Sequence, residues 1–213
     1  MRLLVIGASG GVGKHLVRLA CDEGHGVTAI VRDATAIDAR ARILIDDVKQ
    51  PGCFDKHLPG HDAVLSALGI KRIRPANPWS ALASPPDMLS KAAAMLVRAM
   101  WHAGMRRVIA VSAAGVADSA ARMNVLMKAF VATSNVGVAY RDLAAMEGVF
   151  AEARLDWCCP RPTRLTDGPL TRRVRQADSF PMTAAISRAD VAWWMLEQVA
   201  HEVRERTPTI TGG

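Results

Sequence analysis

Gly7-Ala8-Ser9-Gly10-Gly11-Val12-Gly13 is the segment best suited to chemistry. It follows an apolar run, Leu3-Leu4-Val5-Ile6, and opens a helical pattern carried by Val12, Leu16, Val17, Leu19 and Ala20. A strand, a glycine turn and a helix start, in that order, let a pyrophosphate approach the free N–H groups of a helix N-terminus. The spacing is G-x-x-G-x-x-G rather than G-x-G-x-x-G, so the context carries the reading. The alternative is a tight turn with no ligand. Arg32 is the first polar residue after the second strand-like run. A carboxylate there bonds a ribose 2′-hydroxyl, whereas a guanidinium meets a 2′-phosphate. Arg32 therefore favours NADP(H) over NAD(H). Asp33 is the competing ribose partner, and a plain surface arginine is the bland reading.

Further candidates stand at later strand ends. Asp46-Asp47-Val48 closes the third apolar run, where a carboxylate and a backbone amide reach an adenine; an ordinary strand exit is the alternative. Ala67-Leu68-Gly69 closes the fourth, and Gly69 lets the backbone pass close to a cofactor. Ser112 closes Val108-Ile109-Ala110-Val111. Its hydroxyl would bond a substrate carbonyl or an ordered water near the nicotinamide, unless it caps the next turn. Arg161, Arg164, Arg172, Arg173 and Arg175 form a basic cluster that suits an anionic cofactor and substrate, or a solvated loop. Cys21, Cys53, Cys158 and Cys159 lack a metal-ligand spacing and read as free thiols. No metal is expected.

These residues must be held by a regular frame. Apolar runs near 2–6, 26–31, 42–46, 62–66, 106–111 and 155–160, with a short one near 208–210, alternate with helical patterns near 12–23, 86–103, 140–153 and 188–201. Shorter helices are expected over 34–38, 52–58 and 120–133. The alternation predicts a single α/β domain, a doubly wound parallel sheet with helices on both faces. Half of the 213 residues are hydrophobic, enough for a substantial core. The net charge of +7 comes from scattered basic residues, and a single tyrosine with four phenylalanines offers little base stacking, so nucleic acid is not the expected partner. No apolar run has membrane-span length, and the first residues enter a strand with no signal-peptide pattern, so the expected location is cytoplasmic. Lys71 to Pro86, with four prolines, reads as a loop. Met123, Leu126, Met127, Phe130 and Val131 share helical spacing and read as a core-facing helix, with a mobile lid or a dimer contact as alternatives. Trp193-Trp194 reads as core, with an interface as the alternative.

Taken in order, the glycine turn, Val31-Arg32-Asp33, Asp62-Ala63-Val64, Val111-Ser112, Arg161-Pro162, Leu165-Thr166-Asp167-Gly168-Pro169 and Ile186-Ser187-Arg188-Ala189-Asp190-Val191 resemble the NAD(P)H-binding atypical short-chain dehydrogenase/reductases. The nearest types are the biliverdin-IXβ reductase/flavin reductases and the NmrA-like proteins. The resemblance covers nearly the whole chain and implies one Rossmann domain over residues 1–213. It places the pyrophosphate on Gly7, Ala8, Ser9, Gly10, Gly11, Val12 and Gly13, and the 2′-phosphate on Arg32. It places adenine at Asp47 and Val48 and the ribose over Ala67, Leu68 and Gly69. Ser112 becomes the active-site serine, and Pro160, Arg161, Thr163 and Arg164 line the nicotinamide and substrate side. The implied activity is NADPH-dependent reduction of a small conjugated acceptor such as a flavin, quinone or tetrapyrrole, by a monomer or homodimer. The alternative is a non-catalytic NADP(H)-sensing regulator. One departure stands out: typical members carry Tyr-x-x-x-Lys, but Tyr140 is followed by Ala144, and Lys128 by its spacing would need a tyrosine at Asn124.

Overall fold

Leu3, Leu4, Val5 and Ile6 are all fully buried, as a strand must be when helices cover both faces of its sheet. In the computed structural model, which describes residues 1–33, 37–181 and 183–213, this run is β1 (Arg2–Ile6). It lies between β2 (Gly26–Val31) and β4 (Ala63–Ser66), and β3 (Arg42–Ile45), β5 (Arg107–Ala110) and β6 (Asp156–Cys158) complete the order β3-β2-β1-β4-β5-β6. Every pairing in this sheet is parallel. The order is that of a doubly wound dinucleotide-binding sheet.

Side chains alternate across β1, so its residues serve two cores. Leu3 and Val5 pack with Leu16 and Val17 of α1 (Gly11–Asp22) and with Val191 and Met195 of α6 (Arg188–Ala200). Leu4 and Ile6 meet Phe54 of α2 (Cys53–His57), Leu96 and Met100 of α3 (Met88–His102), and Met146 and Phe150 of α5 (Val136–Glu152). Trp194 is buried in the first core, with Trp193 packed against it. No helix among the described residues is long and apolar enough to cross a membrane.

Five shorter strands follow. β8 (Arg164–Thr166) pairs with β10 (Ala185–Ser187), and β11 (Thr209–Gly212) lies between β7 (Arg161–Pro162) and β9 (Val174–Gln176). β8, β9 and β10 have three residues each, too few to show an alternation in the sequence. The expected helix over 34–38 falls partly on residues 34–36, outside the described residues; α2 realises the one over 52–58.

The segment 115–138 corrects the sequence reading. A 3-10 turn, Ala117–Arg122, leads to α4 (Val125–Thr133), which buries none of its side chains. Val125 and Leu126 are 80% and 71% exposed. Of Met123, Leu126, Met127, Phe130 and Val131, only Met123, ahead of α4, is buried, with Met127 and Val131 partly packed onto its cluster with Ala114 and Phe180. The helical spacing was real, but α4 rests on α5 beyond the sheet, where just one narrow stripe is covered.

Candidate functional site

The carboxyl ends of β1, β2, β4 and β5 open into a cleft of about 620 Å³ at the point where the strand order reverses from β1 to β4. Gly7, at φ +74°, turns the chain out of β1, and a Cβ on it would stand 2.8 Å from the Ala67 carbonyl oxygen. Gly10 donates its N–H to Gly7 O at 2.9 Å and caps α1. Ser9, Gly10, Gly11 and Val12 line the cleft, while Ala8 is fully buried and Gly13 packs behind the turn. The first-turn N–H groups of a helix have no partner four residues back, and α1 has no acidic residue there to repel an anion. This cradle fits a diphosphate.

The other strand ends supply the rest. Arg32 follows β2, Asp47 and Val48 follow β3, Ala67, Leu68 and Gly69 follow β4, and Val111 and Ser112 follow β5; all line the cleft. Asp47 is held locally, its carboxylate 3.2 Å from Lys49 Nζ and accepting the Lys49 N–H at 3.0 Å. Next to it, Asp46 Oδ2 lies 2.9 Å from His57 Nε2. This bond to His57 is the main cause holding the Asp46 carboxyl below its ordinary range. Cys53 completes a group whose donor atoms lie within 4.8 Å of one another. Burial pushes its thiol up to about 12, so it stands protonated and the trio ties the end of β3 to α2 by hydrogen bonds.

Several lining residues escape a sequence reading. Lys71 and Arg72 come from the proline-rich loop, and the Arg72 Nε is buried with no hydrogen-bond partner among the described residues. Arg188, first in α6, pairs with Asp167 at 2.6 Å and lies so close to Gly11 that a Cβ there would stand 2.5 Å from its Cδ. From α5 come Ala139 and Leu143, four residues apart on one face of the helix. This is the spacing of the tyrosine and lysine in typical short-chain dehydrogenases, and both positions are apolar. Tyr140 sits one position off that face: it donates to Ala114 O at 3.0 Å, and burial pushes its hydroxyl pKa up.

Pro160, Arg161, Thr163 and Arg164, expected at the substrate side, do not line the cleft. Arg161 is 2% exposed and faces inward, its Nη2 2.6 Å from Glu147 Oε2 and its Nη1 2.8 Å from Asp118 Oδ1. Burial opposes its charge, but the hydrogen bonds to Glu147 and Asp118 outweigh that, so the guanidinium is held more firmly charged than a free one. Thr163 bonds Thr211 at 3.1 Å, and Pro160 is buried. Arg164 is exposed on β8, where alternation turns its neighbour Leu165 into the cleft instead. Glu147, with no warning in the sequence, also accepts from Ser112 Oγ at 2.5 Å.

Known proteins share this fold. Residues 7–202 match a family described as NAD(P)H-binding. The chain is 32% identical over 116 residues to the 3-diazoavenalumate denitrifying reductase of a Streptomyces species, covering 54% of this chain and 38% of that protein. It is 34% identical over 113 residues to the photosystem II assembly factor Ycf39 of Guillardia theta, covering 51% and 34%. The match thus spans little more than a third of the length of these curated relatives. Among solved structures, ChuY, an anaerobillin reductase from Escherichia coli O157:H7, superimposes with a TM-score of 0.79 at 21% identity over 99% of this chain and 96% of that one. The oxidoreductase ylbE of Lactococcus lactis does so with 0.81 at 19% identity over 100% and 91%. At these identities the likeness is one of fold. With the family match running from the glycine turn to the end of α6, the chain belongs to this NAD(P)H-binding family, and its cofactor is a nicotinamide dinucleotide.

Proposed function

We propose that the protein is an NADPH-dependent reductase of a small conjugated acceptor, of the flavin, tetrapyrrole or quinone kind. The observation that carries this is the pair Ala139 and Leu143, apolar where a proton-donating dyad would face the cleft. The bound dinucleotide supplies a hydride, two electrons with one proton; a second proton, taken from water, completes the reduced acceptor. Acceptors whose added charge is delocalised need no acid at the moment of transfer, and an apolar wall suits them. Met88, Leu89, Leu143 and Leu165 exclude water from the acceptor and present flat apolar surface to it. The N–H groups of the glycine turn hold the diphosphate, and Arg32 holds the 2′-phosphate that distinguishes NADPH from NADH. Asp47 and Val48 border the adenine. Two of the similar proteins are themselves described as reductases, which supports the reading.

A second reading, a dinucleotide sensor without turnover, draws on the same apolar pair and on the similarity to an assembly factor. One experiment separates them. NADPH, NADP⁺, NADH and NAD⁺ are titrated calorimetrically into wild type and Arg32→Ala, and NADPH consumption is then followed with flavins, quinones and tetrapyrroles. NADPH should bind about tenfold or more tightly than NADH, and the variant should lose that preference. Binding without turnover on any acceptor supports the sensor. No binding of any of the four overturns both.

A further inference from the structure

The Ser112 hydroxyl has one proton, and the fold has already assigned it. Ser112 Oγ lies 2.5 Å from Glu147 Oε1. The same carboxylate accepts Arg161 Nε at 3.0 Å and Nη2 at 2.6 Å, and both residues are buried. A guanidinium only donates, and a carboxylate ion-paired to it has no proton to give. Ser112 must therefore be the donor in its bond to Glu147. Ser112 lines the cleft beside Val111, and what its hydroxyl has left to offer there is lone pairs. Glu147 stands one helical turn beyond Leu143 on α5, so the element that forms the apolar wall also fixes the serine.

We propose that Glu147, held by Arg161, is a positioning residue that makes Ser112 a hydrogen-bond acceptor toward the cleft, so that the site selects acceptors presenting an N–H or O–H donor over those presenting only carbonyls. This rests on the reductase reading and reverses the carbonyl contact that the sequence suggests for Ser112. A carbonyl oxygen set against Ser112 Oγ brings two acceptors together with no proton between them. An N–H of a pyrrole or of a flavin ring satisfies the serine and is itself satisfied. Quinones, which carry no donor, fall to the weak end of the range.

The test uses lumiflavin and its N3-methyl analogue, which differ in the ring N–H, with wild type, Ser112→Ala and Glu147→Gln. Binding is measured calorimetrically in the NADP⁺ complex, where no hydride is available. Wild type should bind lumiflavin about tenfold more tightly than the methyl analogue. In Ser112→Ala that ratio should fall several-fold, since the steric cost of the methyl group is common to both proteins. In Glu147→Gln, Arg161 takes the amide oxygen and the amide NH₂ turns to Ser112, whose proton is then free to face the cleft. The N–H preference should vanish and the KM for the quinone menadione should fall. A purely structural role for Glu147 would weaken all acceptors alike. Equal binding of the two flavins by wild type, or by neither, overturns the proposal, as does an unchanged ratio in Ser112→Ala; that variant decides alone if Glu147→Gln does not fold. NADPH turnover with lumiflavin is read separately: its absence sinks the reductase reading while the binding ratio still judges Ser112.

Discussion

A methyl carbon on Gly13 would stand 2.1 Å from the carbonyl oxygen of Gly7. That oxygen is backbone and is pinned by the Gly10 N–H at 2.9 Å, so it has nowhere to retreat. The exit of β1 and the first turn of α1 are thus in direct backbone contact.

Gly13→Ala should accordingly lower stability by about 3 kcal/mol or more, with dinucleotide binding lost alongside. Gly69, which lines the cleft, has open space around it among the described residues. Gly69→Ala should leave the melting temperature within a degree or two and weaken only the cofactor. Thermal unfolding with and without NADPH checks both.

Asp142 on α5 reaches the start of α3, accepting Leu89 N–H at 2.7 Å, Ser90 N–H at 3.0 Å and the Ser90 hydroxyl. The residue before α3, Asp87, makes no side-chain cap of its own. Asp142 is buried, so Asp142→Ala leaves a helix N-terminus unsatisfied in the core and should cost about 2–3 kcal/mol. Urea unfolding measures it. Asp87→Ala should change little.

Burial holds the Cys53 and Cys158 thiols up at about 12, against an ordinary value of 9.0. Raised thiols keep their protons in the folded state while the unfolded chain loses them. Their contribution to stability is therefore full below pH 9 and drains away as pH rises toward 12. Denaturant midpoints across that window should fall, and fall less in a Cys53→Ala, Cys158→Ala double variant. Cys21, the one thiol that is half-buried, should react first with a thiol reagent at neutral pH, and Cys21→Ser should remove that phase.

Val125→Ser and Leu126→Gln on α4 should each shift stability by no more than about 0.5 kcal/mol, because neither side chain leaves water on folding. A drop of the size of a core substitution in the isolated chain would contradict the placement of α4.

The same helix shows where a sequence falls short. Apolar spacing reports that a helix has a greasy stripe, and says nothing about whether another element lies over it. The glycine turn, Arg32 and the strand ends at Asp47, Gly69 and Ser112 were legible because each depends on local geometry: a short turn or the last residue of a strand. Ala139 and Leu143 were not. They carry no chemical signal, and the face α5 turns to the cleft is set by the packing of Met146 and Phe150 beneath it. Tyr140, the conspicuous residue, misses that face by one position. Arg161 misled for a related reason: its charge is taken up by Glu147, a residue fourteen positions earlier whose partner only the fold reveals.

The sheet order has a consequence in time as well as in space. β1 pairs with β2 through Arg2 and Gly26, and with β4 through Leu3 and Ala63. Both neighbours are parallel, so no hairpin can join them, and each must come around a crossover before its bonds form. A strand made of Leu-Leu-Val-Ile therefore waits with an open edge while distant chain is brought in, and an open apolar edge is what a neighbouring molecule pairs with. Placing β1 at the centre opens the cleft where the strand order reverses, and it also makes the sheet depend on non-local pairings, which as a rule form slowly.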